Sequence, residues 1–348
     1  MKRKSITSRD VAHLAGVSQS AVSRSFSQAS SVSEKTRKKV MDAARQLGYR
    51  PNTIARSLIT RSSRTIAVVT YSLQNPFYAY LLEKASRFLQ EQGYHLLLFF
   101  APKNGDFDMV VDDLIRSQVE GVLMLAITLN QHQAKEVADF GIPVVIINRT
   151  VEYSGISQVG SDNYQGGYWA GRYLASQGCQ RIAYLAGIPE STTNRQREEG
   201  FKAGLATEGQ TCFAYDVGYY RYDEACDATR RLFSTRRPET MPDALFAAND
   251  LMAIAGMETL RDELHLSVPE GVSVIGFDDM AMSAWPSHSL TTLQQPVEQM
   301  IVKATELLLN HISHPEAPPE QIILPVTPKI RRSTRPVGNP PIYNRGDK

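Results

Sequence analysis

The sequence is poor in several features that mark common protein classes. Its 348 residues contain three cysteines, Cys179, Cys212 and Cys226, which are too few and too widely spaced for a disulfide framework or a metal site. No apolar run approaches the length needed to cross a bilayer. Walker loops, G-x-G-x-x-G turns and H-E-x-x-H helices are missing as well, so the sequence predicts no membrane span, no metal and no cofactor.

Features of export and of catalysis are equally scarce. The basic first four residues are not followed by the apolar region of a signal peptide, so we expect a cytoplasmic protein with reduced thiols. The candidates for acid–base chemistry are two pairs of neighbouring carboxylates, Asp112 with Asp113 and Asp278 with Asp279. Because no nucleophile or cofactor motif accompanies either pair, we do not expect an enzyme.

Acidic side chains are nearly absent from the first 64 residues, which we call the head. The head holds 14 lysines and arginines but only three acids, a net charge of +11, whereas the rest of the chain, the body, carries −9. A compact basic segment is the electrostatic footprint of nucleic-acid binding, because each cation that meets a phosphate releases a counterion. The acidic body is not attracted to DNA, so the head should do the binding.

The first predicted helix of the head follows Thr7. It has Val11, Leu14 and Ala15 on one face and breaks at Gly16. Thr7 with an acid three residues later has the form of a capping box, which satisfies backbone amides at a helix N-terminus. The pattern therefore predicts a short amphipathic helix that ends in a glycine turn.

Two further helices are predicted in the head. One covers residues 19–25 with Ser18 as its cap, and the other covers 34–47 with Ser33 as its cap and Gly48 beyond its end. Their inward-facing side chains are predicted to be Val22, Phe26, Val40, Ala43, Ala44 and Leu47. Three short helices with a glycine turn between the first two describe a helix-turn-helix unit.

The head also matches a known family in its letters. Four segments resemble the head of lactose-repressor and purine-repressor type transcription factors, the LacI/GalR family. They are SRDVAHLAGVS at residues 8–18, AVSR at 21–24, VSEKTR at 32–37 and LGYRPN at 47–52. The resemblance continues to about residue 333. It implies a sequence-specific regulator of transcription, most often a repressor.

The second helix is predicted to read DNA. Gln19 and Ser20 lie at its N-terminal end, which points into the major groove in this motif. Arg24 lies one turn further along, and its guanidinium pairs with O6 and N7 of guanine or, alternatively, with a phosphate. Ser18 is also assigned to DNA binding, and Ser23 and the helix N-termini would fix the register through phosphates.

Residues 51–64 form the second informative part of the head. A helix of two turns is predicted near residues 53–59, too short to be stable alone. By resemblance this is a hinge helix that folds when two subunits pair on DNA, with Asn52, Ala55 and Leu58 at the DNA. Leu58 would wedge between base pairs of the minor groove, a contact that kinks the duplex.

The body reads as alternating strands and helices. Apolar runs are predicted as strands near residues 65–69, 95–100, 121–125, 143–147, 182–185, 244–247 and 272–275. Amphipathic stretches between them are predicted as helices near residues 78–92, 166–177, 200–208 and 250–264. Continuous apolar strands that alternate with helices are typical of parallel sheets covered on both faces.

The resemblance adds a specific architecture. It implies an α/β core like periplasmic sugar-binding proteins, with two subdomains and a ligand cleft between them. The predicted domains are residues 1–50 for the helix-turn-helix, 51–64 for the hinge and 65–333 for the core. Within the core, the first subdomain would combine 65–162 with 290–321, and the second 163–289 with 322–333. Residues 334–348 read as a flexible tail.

Cleft residues are expected at the carboxyl ends of strands, where open α/β sheets bind ligands. The resemblance places Phe77, Arg149, Arg197, Asp250 and Asp278 at the effector. Asp162 is assigned instead to the junction of the subdomains. Two aromatic residues, Tyr220 and Trp285, are expected to stack on a sugar ring.

The sequence therefore predicts a cytoplasmic homodimer that binds a near-palindromic operator in double-stranded DNA and responds to a small effector. Arg149, Asp278 and the aromatics favour a sugar or sugar derivative. A nucleobase stays open, as does a phosphorylated or acidic sugar, given Arg149, Arg197 and Arg221. A sugar-binding transport protein would share the body, but it needs no basic head. We do not expect the protein to bind a membrane.

Overall fold

The structure is a computed structural model that describes residues 6–26, 32–50, 62–101, 108–125, 127, 131–139, 141–234, 237, 240–336 and 341. Its contacts divide the chain into two units, Met1–Arg64 and Thr65–Lys348. The described part of each unit folds around hydrophobic clusters of its own.

The head contains the three predicted helices, α1 (Ser8–Ala15), α2 (Gln19–Ser25) and α3 (Glu34–Leu47). The hydroxyls of Ser18 and Ser33 cap α2 and α3 by accepting from the backbone amide three residues later, at 3.2 and 3.3 Å. Gly16 and Gly48 end α1 and α3 at φ values of 65° and 66°. Because glycine adopts this left-handed conformation without a Cβ clash, the predicted helix ends are confirmed.

The head core is built from small side chains. Val11, Val22 and Val40 are buried where the three helices meet. The prediction that Leu14 faces inward is wrong, because its side chain is 45% exposed. Position 14 lies about 200° around the helix from the buried Ala12, so it projects away from the contact with α3.

The first sheet of the body has six parallel strands in the order β11-β5-β4-β3-β1-β2. The strands are β1 (Thr65–Thr70), β2 (His95–Phe100), β3 (Gly121–Leu125), β4 (Val144–Ile147), β5 (Ser157–Ser161) and β11 (Gln321–Leu324). The helices of this part are α4 (Pro76–Glu91), α5 (Asp108–Arg116), α6 (Gln131–Ala138) and α11 (Val297–Ser313). β1, β2, β3 and β4 confirm the prediction, and β3 and β4 are buried throughout.

The second sheet has four parallel strands in the order β7-β6-β8-β9. The strands are β6 (Ile182–Ala186), β7 (Ala214–Val217), β8 (Ala244–Ala247) and β9 (Ser273–Ile275). The helices are α7 (Asn163–Ser176), α8 (Thr192–Thr207), α9 (Tyr222–Leu232) and α10 (Asp250–Glu258), which continues as a π-helical turn at Thr259–Glu263. The predicted parallel α/β architecture is therefore confirmed in both halves of the body.

The chain passes between the two halves three times, and two predicted boundaries are wrong. β11 pairs with β5, so residues 322–324 belong to the first sheet. Residues 291–294 lie against the second sheet, because Thr291 bridges Ile275 and β10 (Thr292–Gln294) pairs with β12 (Thr327–Lys329). At the remaining crossing, the Asp162 amide donates to the Leu324 carbonyl at 2.8 Å, and its carboxylate caps α7.

The predicted tail begins too early. Thr334 is buried, and its hydroxyl lies 2.8 Å from that of Thr291. The Arg335 guanidinium donates to the carbonyls of Asp243 and Gly271. These contacts hold residues 334 and 335 against the second sheet. Residues 337–340 and 342–348 lie outside the described residues.

Helices α7 and α8 are in close contact along a seam of glycines, Gly167, Gly171, Gly200 and Gly204. A Cβ on Gly167 would lie 2.1 Å from the Arg197 carbonyl oxygen, and one on Gly200 would lie 2.0 Å from the Tyr164 carbonyl oxygen. Only hydrogen side chains allow two helix backbones to approach this closely. The seam fixes α8, and with it Arg197, against α7.

Candidate functional site

The first candidate site is the outer face of α2. Val22 and Ser25 face the head core, while Gln19, Ser20, Ser23 and Arg24 are exposed on the opposite side. The Gln19 side chain donates to the Ser8 hydroxyl at 2.8 Å, which ties the start of α2 to α1. The exposed face therefore presents hydroxyl, amide and guanidinium groups, the side chains that hydrogen-bond base edges and phosphates.

The exposed charge of the head is largely positive. Arg9, Arg24, Lys35, Lys38 and Lys39 are all exposed on the head. Arg24 keeps part of its fork occupied, since its Nε donates to the Ser20 carbonyl at 3.3 Å. The remaining guanidinium nitrogens point a cation outward beside the N-terminal half of α2. Asn52, Ala55 and Leu58 of the predicted hinge lie outside the described residues.

The second candidate site is a small cavity between the two sheets of the body. It is lined at the carboxyl ends of strands by Phe77, Tyr78, Asn148, Arg149, Thr193, Arg197, Tyr220, Asn249 and Asp278. Five of the seven predicted effector residues are therefore brought together. Parallel strands deliver their following loops to the same edge, which explains how residues 200 positions apart converge.

Two predicted effector residues do not line this cavity. Asp250 is fully buried behind it, and its carboxylate accepts from the Ser283 hydroxyl at 2.6 Å, the Thr292 hydroxyl at 2.5 Å and the Met280 amide at 2.9 Å. Those bonds make Asp250 a structural residue that ties the start of α10 to the loop after β9 and to β10. Trp285 is 51% exposed and stacks on His288 at the surface.

Arg197 is the most completely buried cation of the cavity. Its Nε donates to the Asn163 side chain at 2.9 Å, and one terminal nitrogen donates to the Ala248 carbonyl. The guanidinium lies 3.6 Å from the ring centre of Phe277, and its other nitrogen is 3.8 Å from the Asp278 carboxylate. Arg197 is therefore held in one orientation by its own half of the body.

Asp278 is 5% exposed and faces Arg197 across the cavity. Burial raises the pKa of its carboxyl to about 8, although the nearby Arg197 charge works in the opposite direction. The Gln295 side chain donates to it at 2.7 Å. Its φ of 129° is strained for a residue with a side chain, a feature that clusters at functional sites. At neutral pH the carboxyl is largely protonated, so it also offers a donor.

Arg149 enters from the first sheet, directly after β4. Its guanidinium lies 5.1 Å from the ring centre of Tyr220 and hydrogen-bonds Tyr78. Burial opposes its charge, but the interactions with Tyr78, Tyr220 and Tyr71 outweigh that effect and raise the pKa of Arg149. Arg149 is therefore charged, and its guanidinium lies against tyrosine side chains in the cavity.

Four lining residues, Tyr78, Asn148, Thr193 and Asn249, were missed as effector contacts by the sequence reasoning. Tyr78, Asn148 and Asn249 adjoin predicted residues, so their place after β1, β4 and β8 was the usable signal. No sequence signal identified Thr193, because the helix that carries it, α8, begins eight residues before the helix that the apolar pattern predicts at residue 200. The buried Asn148 Oδ1 and Thr193 Oγ1 atoms lack a hydrogen-bond partner within the described part of the chain.

The cavity is nearly closed in this conformation. Its volume is about 10 Å³, the room of one water molecule. Two contacts join the halves beside it, from the Thr192 hydroxyl to the Thr150 carbonyl and from Arg195 to Glu152. A cavity of about 600 Å³ adjoins it and shares Phe77 and Asp278. A ligand larger than water therefore requires the halves or the lining side chains to move apart.

Other kinds of site are not found in the part of the chain that the structure describes. No group of three or more His, Cys, Asp or Glu side chains there has the arrangement of a metal site. None of the helices described is both long and apolar enough for a membrane span.

Comparison with known proteins gives two family matches, one in each unit of the chain. Residues 7–52 match the bacterial regulatory proteins of the lacI family, and residues 172–334 match the periplasmic binding protein-like domain. The probable HTH-type transcriptional repressor ExuR of Bacillus subtilis (strain 168) is 30% identical over 95% of this chain and 98% of its own length.

Two solved structures are similar along nearly the whole chain. The Lac repressor dimer bound to operator and the anti-inducer ONPF has a TM-score of 0.85 at 27% identity, covering 95% of this chain and 99% of that one. The transcriptional regulator CelR–cellobiose complex has a TM-score of 0.71 at 30% identity, covering 94% of this chain and 99% of that one.

Proposed function

The chain belongs to the lacI family of bacterial regulatory proteins, and from that premise we propose that it is a cytoplasmic, homodimeric repressor of transcription whose operator affinity is set by a small carbohydrate in the body cavity. The observation that carries the proposal is the exposed face of α2. It presents Gln19, Ser20, Ser23 and Arg24 on a folded, basic three-helix unit.

The recognition step follows from groove chemistry. An α-helix fits the major groove, where each base pair presents a distinct set of donors and acceptors. Gln19 and Ser20 would meet base edges, Arg24 a guanine, and Ser18 and Ser23 the phosphates. One head buries too little surface for tight and specific binding, so two heads on a near-palindrome are expected.

The hinge would complete DNA binding. Asn52, Ala55 and Leu58 lie outside the described residues, and their proposed role rests on the match of the letters LGYRPN and ARSL. Two short hinge helices would pack on each other in the minor groove, with the Leu58 pair opening a base step. The energy of that contact would make operator binding sensitive to the distance between the two hinges.

The effector would act through the body. Cellobiose is the ligand of the similar CelR structure, and operator and ONPF are bound to the similar Lac repressor structure. In this chain a ligand among Phe77, Arg149, Arg197, Tyr220 and Asp278 would touch both halves of the body. It would thereby change the contacts that close the cavity, and a shift of the halves would move the hinges.

Selection from a random duplex library tests the DNA-binding proposal. The purified full chain should enrich a near-palindrome of two half-sites, and sedimentation should show a dimer on it. Leu58→Ala should weaken operator binding at least about tenfold, while salt-sensitive binding to random DNA persists through the head. Enrichment of no sequence, or tight binding of a monomer to a single half-site, would contradict the proposal.

A further inference from the structure

The effector class follows from the charges and orphaned polar atoms of the cavity. Building on the cleft function proposed above, we propose that the effector is a small polyhydroxylated compound bearing a carboxylate or phosphate, and that Arg149 binds its anionic group. The proposal depends on the balance of charge, the surroundings of Arg149 and the unpartnered groups beside it.

The lining carries more positive than negative charge. Arg149 and Arg197 are its cations and Asp278 is its one carboxylate, while the other six lining residues are uncharged. An excess of one cation remains even when Asp278 is ionised. Because Asp278 holds its proton until about pH 8, the excess at neutral pH approaches two. A buried excess of positive charge favours a ligand that brings negative charge.

The two arginines differ in what already holds them. Arg197 donates to Asn163 and to the Ala248 carbonyl, and it faces Asp278. Arg149 is instead surrounded by tyrosines, with the face of Tyr220 at 5.1 Å and Tyr78 at hydrogen-bonding distance. A carboxylate or phosphate makes charge-assisted, two-pronged hydrogen bonds that are stronger than contact with a ring face. An anion would therefore displace Tyr220 from Arg149 with a gain in binding energy.

Two other groups can hydrogen-bond the same ligand, and one of them, the Asn148 Oδ1, requires a donor. Among the residues that the structure describes, the buried Asn148 Oδ1 is an acceptor without a donor, and the buried Thr193 hydroxyl has no partner. Both residues are less than 5% exposed, so leaving them unsatisfied costs free energy. An anion has no proton to offer Asn148, whereas a sugar hydroxyl does. The site thus requires hydroxyl donors in addition to a negative charge, which a bare inorganic anion does not supply.

Matched ligands separate these requirements. Titration calorimetry on the full chain would compare D-glucose with D-glucuronate and D-glucose 6-phosphate, D-galactose with D-galacturonate, and D-ribose with D-ribose 5-phosphate. Inorganic phosphate and hypoxanthine complete the panel. We expect an anionic sugar to bind at least about tenfold more tightly than its neutral partner and than inorganic phosphate. Comparison of the uronates with the sugar phosphates shows whether the site prefers a carboxylate or a phosphate.

Variants assign the preference to Arg149. Arg149→Gln should remove the advantage of the anionic ligand, so that the anionic and neutral partners bind with similar affinity, and Arg149→Lys should keep part of the advantage. Arg172→Gln is the matched control, because Arg172 lies on α7 in a surface pair with Glu208. It should bind every ligand as the wild type does.

The ligand panel and the operator selection distinguish a failure of the anionic-effector proposal from a failure of the regulator proposal. A neutral sugar or hypoxanthine that binds as tightly as the anionic sugars overturns the anionic class but supports an effector site. If no member binds, the assignment to small anionic polyols is wrong, while selection of a palindromic operator would still support the regulator. An anionic preference that survives in Arg149→Gln overturns the role of Arg149.

Discussion

Single residues in and behind the cavity divide into those held by the fold and those open to a ligand. Arg197, which lines the cavity, and Asp250, which lies behind it, are held by hydrogen bonds within their own half of the body. Asn148 and Thr193 keep buried polar atoms without a partner within the described residues. Buried polar groups are ordinarily hydrogen-bonded, so an orphan in a cavity indicates a place where a ligand completes the structure.

Asp278 should make stability depend on pH. An aspartate ionises near pH 3.9 in an unfolded chain, but burial raises the pKa of Asp278 to about 8. The folded protein therefore holds a proton that the unfolded chain has released, and stability is lost as pH rises from about 4 to 8. At pH 8 the free energy of unfolding of Asp278→Asn should exceed that of the wild type by at least about 1.4 kcal/mol, which corresponds to one pKa unit. This difference should shrink towards pH 4.

Denaturant unfolding across pH 4–9 measures that difference. Asp216→Asn is the control of opposite sign. Burial works against ionisation of Asp216, but hydrogen bonds from Arg231 lower its pKa. That variant should be less stable than wild type at neutral pH and should approach it on acidification. A stability difference for Asp278→Asn that stays constant with pH would mean that Asp278 ionises normally.

Arg24 tests direct readout at the head. If it pairs with a guanine, Arg24→Ala should cost about 1–3 kcal/mol on the selected operator and relax preference at one base position. Arg45→Ala is a matched control, because Arg45 is an exposed arginine of α3 that pairs only loosely with Asp42 at 3.7 Å. Fluorescence anisotropy on single-base operator variants gives both values. An equal loss on every sequence would assign Arg24 to the phosphates.

At the scale of secondary-structure elements, buried apolar strands could be predicted from the sequence, whereas short strands at the edges of sheets could not. The strands over 121–125 and 244–247 were predicted within a residue, because continuous apolar letters between turn residues have few alternatives. β5 was missed since its letters, SQVGS, are polar, although every residue is buried. β10, β11 and β12 depend on pairing with distant strands, which local letters do not encode.

The cleft was partly predictable for the same reason. Residues that follow apolar strands, such as Arg149 and Asp278, are placed by strand ends that the sequence reveals. Thr193 lies near the start of α8, where no apolar pattern marks the helix. Trp285 was misplaced because an aromatic letter does not tell whether its loop turns towards the cavity or the solvent.

The glycine seam should be intolerant of the smallest addition. In Gly200→Ala the new methyl would overlap the Tyr164 carbonyl oxygen at 2.0 Å, and backbone on both helices would have to shift. We expect a loss of about 3 kcal/mol or more in the free energy of unfolding and weaker effector binding through Arg197. Thermal unfolding and calorimetry measure the two effects.

Gly256→Ala is the matched control for the seam. Gly256 also lies inside a helix, but its added methyl would meet the Leu245 and Thr229 side chains at 3.1 and 3.3 Å rather than backbone. Alanine gains up to about 1 kcal/mol of helix propensity over glycine there, so the net change should be small. Equal losses in both variants would remove the argument for a backbone contact.

At the scale of the whole molecule, opposite charges separate two tasks. The +11 head concentrates positive charge in the first 64 residues, and the −9 body is repelled by phosphate. The proposed DNA affinity should therefore come from the head and not from the body. Changes of salt should therefore act on operator binding through the head while leaving the hydrogen-bonded cavity residues little affected.

The proposed coupling has to be reciprocal. If the effector changes operator affinity by some factor, operator must change effector affinity by the same factor. Asp278→Ala should abolish the response to effector but keep operator affinity near that of wild type, because Asp278 lies in the body. Titrating each ligand with and without the other measures both factors. Unequal factors, or a full response in Asp278→Ala, would contradict the coupling.

The glycine seam also limits how such a protein could change its ligand over generations. Arg197 sits on a helix whose backbone has no room to move against α7, so the half of the pocket that it occupies is inherited as one piece. Arg149 and Tyr220 lie in loops outside that contact. We therefore expect a change of effector to be reached more readily by substitution at Arg149 or Tyr220 than at Arg197.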